Sequence, residues 1–191
     1  MVTAAASWKA RLALAYALRD GRTVLSQREH SGPLVVQKAL YPEGDATCHS
    51  IVVHPPGGIA GGDELALDVR LGEGAAALLT TPGAGKWYKS LGPAAKLAQR
   101  FELARGAVLE WLPLPAIVFD KARAATRTEV HLSEEALYLG WDIACLGRTA
   151  SGERFNVGEL RQRTEVWQQG KRLWCEFARL AGDDPMLASQ A

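Results

Sequence analysis

The stretch WKARLALAYALRDGRTVLSQ, residues 8–27, decides the fold class. Apolar side chains recur at every second position from Trp8 to Leu18, and basic residues take the other parity. This alternation is the pattern of a half-buried β-strand. Asp20-Gly21 then favours the positive φ angles of a tight hairpin, with TVLSQ as the return strand. The stretch therefore predicts a β-hairpin rather than a secretory signal, which would end in a small-residue cleavage site.

Short apolar segments broken by Gly, Pro and Asp continue to residue 180. They predict an all-β protein of stacked strands, either a β-helix-like or a two-sheet scaffold, with one or two short helices. The segment WQQGKRLW, residues 167–174, predicts a second hairpin, and the weak helix candidates are residues 93–100 and 183–190. No internal repeat of fixed period is visible, so we expect residues 1–191 to form a single domain.

Composition excludes several classes of function. The chain has 191 residues, 48% of them apolar and 23% charged, with a net charge of +1, which gives no electrostatic case for binding nucleic acid. It lacks a run of the 18 apolar residues that a membrane span needs. The three cysteines show no CxxC spacing, which argues against a disulfide framework or a zinc knuckle and favours a reducing cytosol.

Two glycine-rich segments, HPPGGIAGGD (54–63) and TTPGAGKWYKS (80–90), raise the question of a phosphate site. A Walker A loop requires a first glycine where Thr80 stands and a hydroxyl residue where Trp87 follows Lys86, so the sequence argues against nucleotide binding. Glycine also allows positive φ and close approach of another backbone. Two interpretations stay open: a rigid corner between sheets, or a corner shaped to receive a partner.

Five segments in order along the chain carry a family resemblance. They are HSGPLVVQKALYPEG (30–44), HPPGGIAGGD (54–63), TTPGAGKWYKS (80–90), LEWLP with IVFD (109–120) and LGWDIACLGRTASGERF (139–155). The chain resembles the urease accessory protein family UreD, also called UreH. The resemblance implies a cytoplasmic, non-catalytic scaffold of β-helix-like stacked strands with a couple of helices. It implies binding to the urease apoprotein on one side and UreF on the other, with the GTPase UreG joining through UreF, so that nickel is delivered to urease.

The resemblance directs attention to the two glycine segments as the surface that binds a partner or shapes a passage. The residues concerned are Gly57, Gly58, Gly61, Gly62, Asp63, Thr80, Thr81, Gly83, Gly85 and Lys86. No cofactor is expected to stay bound, and nickel would be in transit. The chain departs from the family where Leu114-Pro115 replaces a common Gln-Glu pair and Lys121 replaces a glycine. Family members normally continue past residue 191, so we expect the chain to lack a C-terminal part, and an edge left open there would promote aggregation.

Carboxylates on apolar strands suggest a route for a cation. Asp142 lies in ALYLGWDIACL (136–146), where both parities are apolar and both faces are expected to be buried. Glu176 lies in KRLWCEFARL (171–180) on the parity of Trp174. If the fold brings Asp63, Asp142 and Glu176 near a water-filled passage, they would guide nickel by weak contacts. Ordinary buried ion pairs are the other interpretation.

The alternative function is a carbohydrate-active enzyme of β-fold. Glu110, Asp120, Asp142 and Glu176 would supply its pair of carboxylates, although no nucleophile elbow or zinc signature is present. A carbohydrate-binding module would use the six tryptophans as exposed platforms, but their alternating positions favour the core. The histidines show no spacing for a local metal site, and hydrogen-bonded structural roles are expected for them.

Overall fold

The computed structural model of the protein describes residues 7–90 and 92–188, which form fifteen β-strands and two short 3-10 helices. The strands are β1 (Lys9–Arg19), β2 (Arg22–Ser31), β3 (Val35–Val36), β4 (Thr47–Val53), β5 (Glu64–Leu71), β6 (Ala76–Thr80), β7 (Lys86–Trp87), β8 (Ala95–Leu103), β9 (Val108–Leu112), β10 (Ala116–Val118), β11 (Arg123–Leu132), β12 (Leu137–Gly140), β13 (Ala144–Leu146), β14 (Glu159–Gln168) and β15 (Lys171–Ala181). The 3-10 helices are Thr149–Ser151 and Pro185–Ala188.

The chain winds into a three-sided β-solenoid. A seven-stranded sheet has the order β15-β14-β11-β8-β5-β1-β2, a five-stranded sheet has the order β12-β9-β6-β4-β3, and a three-stranded sheet has the order β13-β10-β7. Each turn visits the five-stranded, three-stranded and seven-stranded sheets in that order, which gives the rungs β6-β7-β8, β9-β10-β11 and β12-β13-β14. A first rung passes from β4 through Ile59, which bridges Trp87, to β5. The expected β-helix-like scaffold of stacked strands is confirmed.

The rungs form a repeat that the sequence did not reveal. Thr47 pairs with Ala76, 29 residues on, and Ile117 pairs with Cys145, 28 residues on. In contrast, Arg127 pairs with Arg163, 36 residues on, because the corner after β13 is a long loop containing a 3-10 helix. In every rung, alternate side chains point inward. The corners between strands differ in length, so the sequence shows no fixed repeat period.

Alternate residues of all three sheets point into one core. Phe101 and Val130 come from the seven-stranded sheet, Leu109 from the five-stranded sheet and Val118 from the three-stranded sheet, and all four are fully buried. Phe101 also stacks on Tyr138 with ring centroids 5.8 Å apart. The period-two pattern thus reports a half-buried face on every side of the solenoid.

Both predicted hairpins are present. Asp20 and Gly21 have φ of 49° and 78° in the turn between β1 and β2, and Gln169 and Gly170 have φ of 49° and 74° between β14 and β15. The helix expected at residues 93–100 is wrong, because from Ala95 onward this segment is β8, paired between β5 and β11. At 183–190 only Pro185–Ala188 is a 3-10 helix, and residues 189 and 190 lie outside the described part.

The expectation that both faces of residues 136–146 are buried is wrong. Leu137 is 63% exposed and Leu139 is 56% exposed, because both lie on the outer face of the five-stranded sheet, level with Val108 and Glu110, and β12 is the last strand of that sheet. The core prediction for tryptophan is correct for Trp87 and Trp111 and wrong for Trp8, Trp141 and Trp174, which are 54%, 46% and 58% exposed. Apart from Trp8, which precedes β1, these exposed residues lie at one end of the solenoid, where no further rung covers them among the described residues.

The outer face of the seven-stranded sheet is polar and carries ion pairs between strands. Arg11 Nε lies 2.8 Å from Asp68 Oδ2, and Arg70 Nε lies 3.0 Å from Glu102 Oε2. Charge is therefore balanced on this face. None of the helices among the described residues has the length and hydropathy needed to cross a membrane.

Candidate functional site

Residues 54–63 and 80–90, which we call the glycine corner, are joined by backbone hydrogen bonds. The Ile59 N–H donates to the Lys86 carbonyl (2.8 Å), and the Tyr88 N–H donates to the Ile59 carbonyl (2.9 Å). These bonds extend the three-stranded sheet by one position. Lys86 lies on a short strand within a β-solenoid, so the strand-to-helix setting of a phosphate loop is missing here.

Two glycines of the corner are required by close packing. A Cβ on Gly58 would lie 2.8 Å from Cζ and 2.9 Å from Cδ2 of Tyr88, and a Cβ on Gly61 would lie 2.6 Å from the Cβ of Ser90. Tyr88 is itself held edge-on against Phe119, with ring centroids 5.1 Å apart. The glycines therefore allow the two segments to press together, which makes the corner rigid.

Positive φ accounts for two further glycines, and a buried carboxylate secures the end of the first segment. Gly57 and Gly62 have φ of 78° and 91°. Asp63 is 3% exposed; its Oδ1 accepts the Trp8 N–H and its Oδ2 accepts the Ala60 N–H, both at 2.8 Å. The carboxylate thus ties the corner to the start of β1. Its role as a nickel contact stays a prediction.

The glycine corner lines a cavity of about 380 Å³ between the sheets, which we call the corner cavity. Of the residues predicted for the site, six line it: Gly57, Gly58, Thr81, Gly83, Gly85 and Lys86. Gly61, Gly62, Asp63 and Thr80 lie behind this surface. Thr80 Oγ1 donates to the Leu112 carbonyl (2.7 Å), which makes it a brace between β6 and β9.

His54 also lines the corner cavity, and it does not have the hydrogen-bonded role expected from the sequence. Neither ring nitrogen has a hydrogen-bond partner among the residues that the structure describes. Burial lowers the pKa of His54 below its usual value, although the charge of Asp63 opposes this shift. The imidazole is therefore neutral at pH 7, with a lone pair free to bind. The sequence signal that could have identified His54 was its position as the first residue of HPPGGIAGGD.

A second cavity of about 300 Å³, the end cavity, lies beside the last rung. Asp142 and Glu176 both line it. Gln99, Trp111 and Asp142 line both cavities, so the two spaces adjoin. Asp142 thus lies where the two cavities meet, and a route for nickel from the glycine corner to Glu176 stays a prediction.

Asp142 has an unusual environment. The residue is exposed overall, but its Oδ2 accepts a hydrogen bond from Gln162 Nε2 (2.7 Å) and its carboxyl faces the two cavities. Burial of this carboxyl raises the pKa of Asp142, an effect that the hydrogen bond from Gln162 opposes. No ion pair neutralises it among the described residues, so the interpretation as an ordinary buried ion pair fails for Asp142.

Fixed metal coordination is not built into this route. Among residues 7–90 and 92–188, no cluster of three His, Cys, Asp or Glu side chains is arranged to hold a metal ion. Contact of Asp142 and Glu176 with nickel stays a prediction.

The other carboxylates considered for an enzyme lie elsewhere. Glu110 on β9 pairs with Leu139 and points away from the core, whereas Asp120 Oδ1 accepts the backbone N–H groups of Asn156 and Val157 at 2.9 Å. These bonds lower the pKa of Asp120. Neither residue lines a cavity with Asp142 and Glu176, so Glu110 and Asp120 do not join them in one site.

The two departures from the family pattern have structural counterparts. Lys121 has a φ of 64°, the left-handed conformation that favours glycine. Its N–H donates to the Val157 carbonyl and its carbonyl accepts from the Ser90 N–H, so the conformation is held on both sides. Leu114 is 46% exposed and lines the corner cavity, which makes this part of the cavity apolar where a polar pair is common.

Comparison with known proteins identifies the chain. The model of the UreD urease accessory protein family matches residues 9–191. The chain belongs to the UreD family.

Individual UreD proteins are also similar to the chain over most of its length. The chain is 51% identical over 182 residues to the urease accessory protein UreD of Azoarcus sp. (strain BH72), a match that covers 95% of this chain and 64% of the relative. It is 53% identical over 185 residues to UreD of Dechloromonas aromatica (97% and 64%). It is 54% identical over 169 residues to UreD of Methylobacillus flagellatus (88% and 59%). The chain spans less than two thirds of the length of these UreD relatives.

Proposed function

We propose that this UreD-family chain is a non-catalytic scaffold in urease maturation. It bridges the urease apoprotein and a UreF-type accessory protein, a UreG-type GTPase joins through UreF, and nickel passes along the scaffold without any permanently bound cofactor. Membership of a family named for urease accessory proteins supports the role. The observation that carries the proposal is that two adjoining cavities share Asp142, one lined by the glycine corner and the other by Glu176.

The chemistry of the route suits a cation in transit. Nickel accepts imidazole and carboxylate ligands, and His54, Asp142 and Glu176 place one imidazole and two carboxylates along the joined cavities. Because these groups are spread out rather than clustered, each holds the ion weakly and releases it to the next. The glycine corner fixes the first part of the route, since its two segments cannot separate without breaking their backbone bonds.

Thiol chemistry supports a reducing compartment. All three cysteines are free, and Cys145 and Cys175 are exposed. Exposed free thiols persist in the cytosol and are oxidised in secretory compartments. We therefore propose a cytosolic location.

The proposal is tested by assembly and by activation. Tagged chain is mixed with urease apoprotein and with UreF-type and UreG-type proteins, and co-purification is measured together with nickel-dependent urease activity. Asp142→Asn and Glu176→Gln should retain the partners but lower activation several-fold, whereas Glu110→Gln, on the outer face, should leave both unchanged. Equal urease activation by all three variants would refute the nickel route. Failure of the tagged chain to retain any partner would refute the scaffold role. The names of the relatives do not support the alternative function of a carbohydrate-active enzyme. Turnover of a polysaccharide by the chain alone would support that alternative.

A further inference from the structure

The last rung presents unpaired backbone. Among the described residues, β12 pairs only with β9, and β13 pairs only with β10. The Leu137 N–H donates to the Ala107 carbonyl (2.9 Å) and the Trp141 N–H to the Trp111 carbonyl (3.4 Å). Because hydrogen-bonding direction alternates along a strand, the N–H groups of Tyr138 and Gly140 point to the open side.

The side chains at this edge are apolar, as are the exposed Leu173, Trp174 and Phe177 on the adjoining edge strand β15. Leu137, Leu139, Trp141 and Ile143 are each at least 45% exposed, and residues 137–146 contain a single charged residue. The edge strand β2 at the other end has exposed polar side chains throughout QREHS, residues 27–31, with charges at Arg28 and Glu29. Charged edges prevent strand addition, whereas an apolar open edge invites it. The edge formed by β12 and β13 is therefore suited to being covered.

The final hairpin directs the chain towards this edge. β15 runs antiparallel to β14 and returns to the corner where β14 begins, where the Gly182 N–H donates to the Gly158 carbonyl (3.1 Å). The preceding rungs cross the five-stranded, three-stranded and seven-stranded sheets in that order. A segment that continues the reversed path from Gly182 meets β13 first and β12 next, in the antiparallel sense.

We propose that the additional C-terminal part of full-length UreD proteins lies antiparallel along β13 and then β12 and forms a closing rung of reversed direction. The length is sufficient, because 182 matched residues are 64% of the Azoarcus relative, which leaves about 100 residues for rungs that here span 28 to 36 residues. This rung pairs with the free N–H groups of β12 and gives the outward-facing Leu137 and Leu139 cross-strand neighbours on their open side.

The size of the edge favours a continuing segment over a second copy of the chain. The open edge comprises four residues of β12 and three of β13. At about 3.3 Å per residue it is roughly 23 Å of backbone, and a strip about 10 Å wide along it covers roughly 230 Å², well below the roughly 800 Å² per partner that a stable complex buries. A segment of the same chain needs less contact area, because it loses no translational freedom on docking.

A closing rung also changes the end cavity. Trp174 and Glu176 of β15 line this cavity opposite Tyr138 and Gly140 of β12, and the five-stranded sheet supplies no strand beyond β12 among the described residues. A strand added to β12 would wall the cavity beside Glu176 and separate its carboxylate from solvent. This consequence for nickel rests on the proposed function, whereas the coverage of the edge does not.

Hydrogen exchange tests the closing rung. The 191-residue chain is compared with an extended protein, in which the remaining C-terminal part of the Azoarcus relative follows residue 191. Amides in residues 137–146 should exchange at least tenfold more slowly in the extended protein, while the control edge, residues 22–31, should be unchanged. Equal exchange at 137–146 in the two proteins would overturn the proposal. Protection that appears in the 191-residue chain as its concentration rises, with a dimer in sedimentation, would assign the edge to a second copy instead.

A substitution gives an independent readout. Leu139→Lys should lower the midpoint of thermal unfolding of the extended protein but leave that of the 191-residue chain unchanged, because only in the extended protein does Leu139 contact a cross-strand neighbour on its open side. The control is Leu18→Lys, because Leu18 is a similarly exposed leucine near the C-terminal end of β1, far from the proposed rung. It should have the same effect in both proteins. An extended protein that protects residues 137–146 yet fails to support urease activation would refute the proposed function and leave the closing rung intact.

Discussion

Gly58→Ala tests whether the glycine corner is held by packing rather than by backbone conformation. The φ angle of Gly58 is not in the left-handed region, so alanine meets no backbone strain. The added methyl group instead meets the edge of the Tyr88 ring, with Cζ at 2.8 Å and Cδ2 at 2.9 Å. The ring cannot turn aside freely, because its edge packs against Phe119 at a centroid distance of 5.1 Å.

The magnitude follows from two opposing effects. Forcing an extra methyl group into a packed site costs about 1–3 kcal/mol, and loss of the aromatic pair adds about 0.5–1.5 kcal/mol. Replacement of glycine also restricts the unfolded chain, which returns about 0.4–1 kcal/mol. The net loss is about 1–3 kcal/mol, and for a chain of this length it lowers the midpoint of thermal unfolding by about 3–10 °C.

Urea and thermal unfolding of matched variants measure this loss. Gly83→Ala is the control, because no atom lies within 4 Å of its Cβ position and its φ is not positive. It should leave the unfolding free energy unchanged or raise it slightly. In the double variant Gly58→Ala/Tyr88→Ala the methyl group has room, so the two losses should be less than additive. The reasoning fails if Gly58→Ala is as stable as Gly83→Ala, or if the two losses simply add.

Three further substitutions test other features. Lys121→Gly relieves the left-handed φ of 64° and should stabilise the folded protein by about 1 kcal/mol, which raises the midpoint of thermal unfolding by about 2–4 °C. The control Lys38→Gly should not raise it. An unchanged midpoint for Lys121→Gly would contradict this reasoning. Asp63→Ala leaves two backbone N–H groups without acceptors and should cost about 2–4 kcal/mol in urea unfolding, so a neutral result would refute its bracing role. Burial lowers the pKa of His54 from 6.5, so the unfolded chain binds the proton more readily and stability should fall as the pH drops below 6.5. His54→Gln should flatten that decline between pH 7.5 and 5.5, while His30→Gln, on an exposed residue, should not; identical profiles would exclude this effect.

Much of the fold could be predicted because its determinants are local. Alternation in residues 8–18 and the positive φ pairs at Asp20-Gly21 and Gln169-Gly170 specify strands and hairpins within a few residues. The helix prediction at residues 93–100 failed because the segment is sandwiched between β5 and β11, and this tertiary pairing overrides its helical propensity.

The candidate site was less predictable because its features depend on contacts between rungs. The residue types showed that Gly58 and Gly61 matter, but the reason lies in Tyr88 and Ser90, about 30 positions away. Asp142 and Glu176 were chosen for their carboxylates, and only the fold placed them in one cavity. Leu137 is exposed because it lies on the outer face of the last strand of its sheet, and a run that is apolar at both parities encodes neither which face is outward nor which strand is last.

The solenoid winding also bears on how the protein reaches its native state. Its parallel pairings join residues from 28 positions apart, as at Ile117 and Cys145, to 55 positions apart, as at Lys9 and Glu64. Each turn must lose loop entropy before its ladder forms, so the folding barrier is high and the two hairpins are the natural nuclei. Refolding from urea should accordingly be slow, and assembly rung by rung during synthesis on the ribosome would shorten the time that each sheet edge waits for its neighbour.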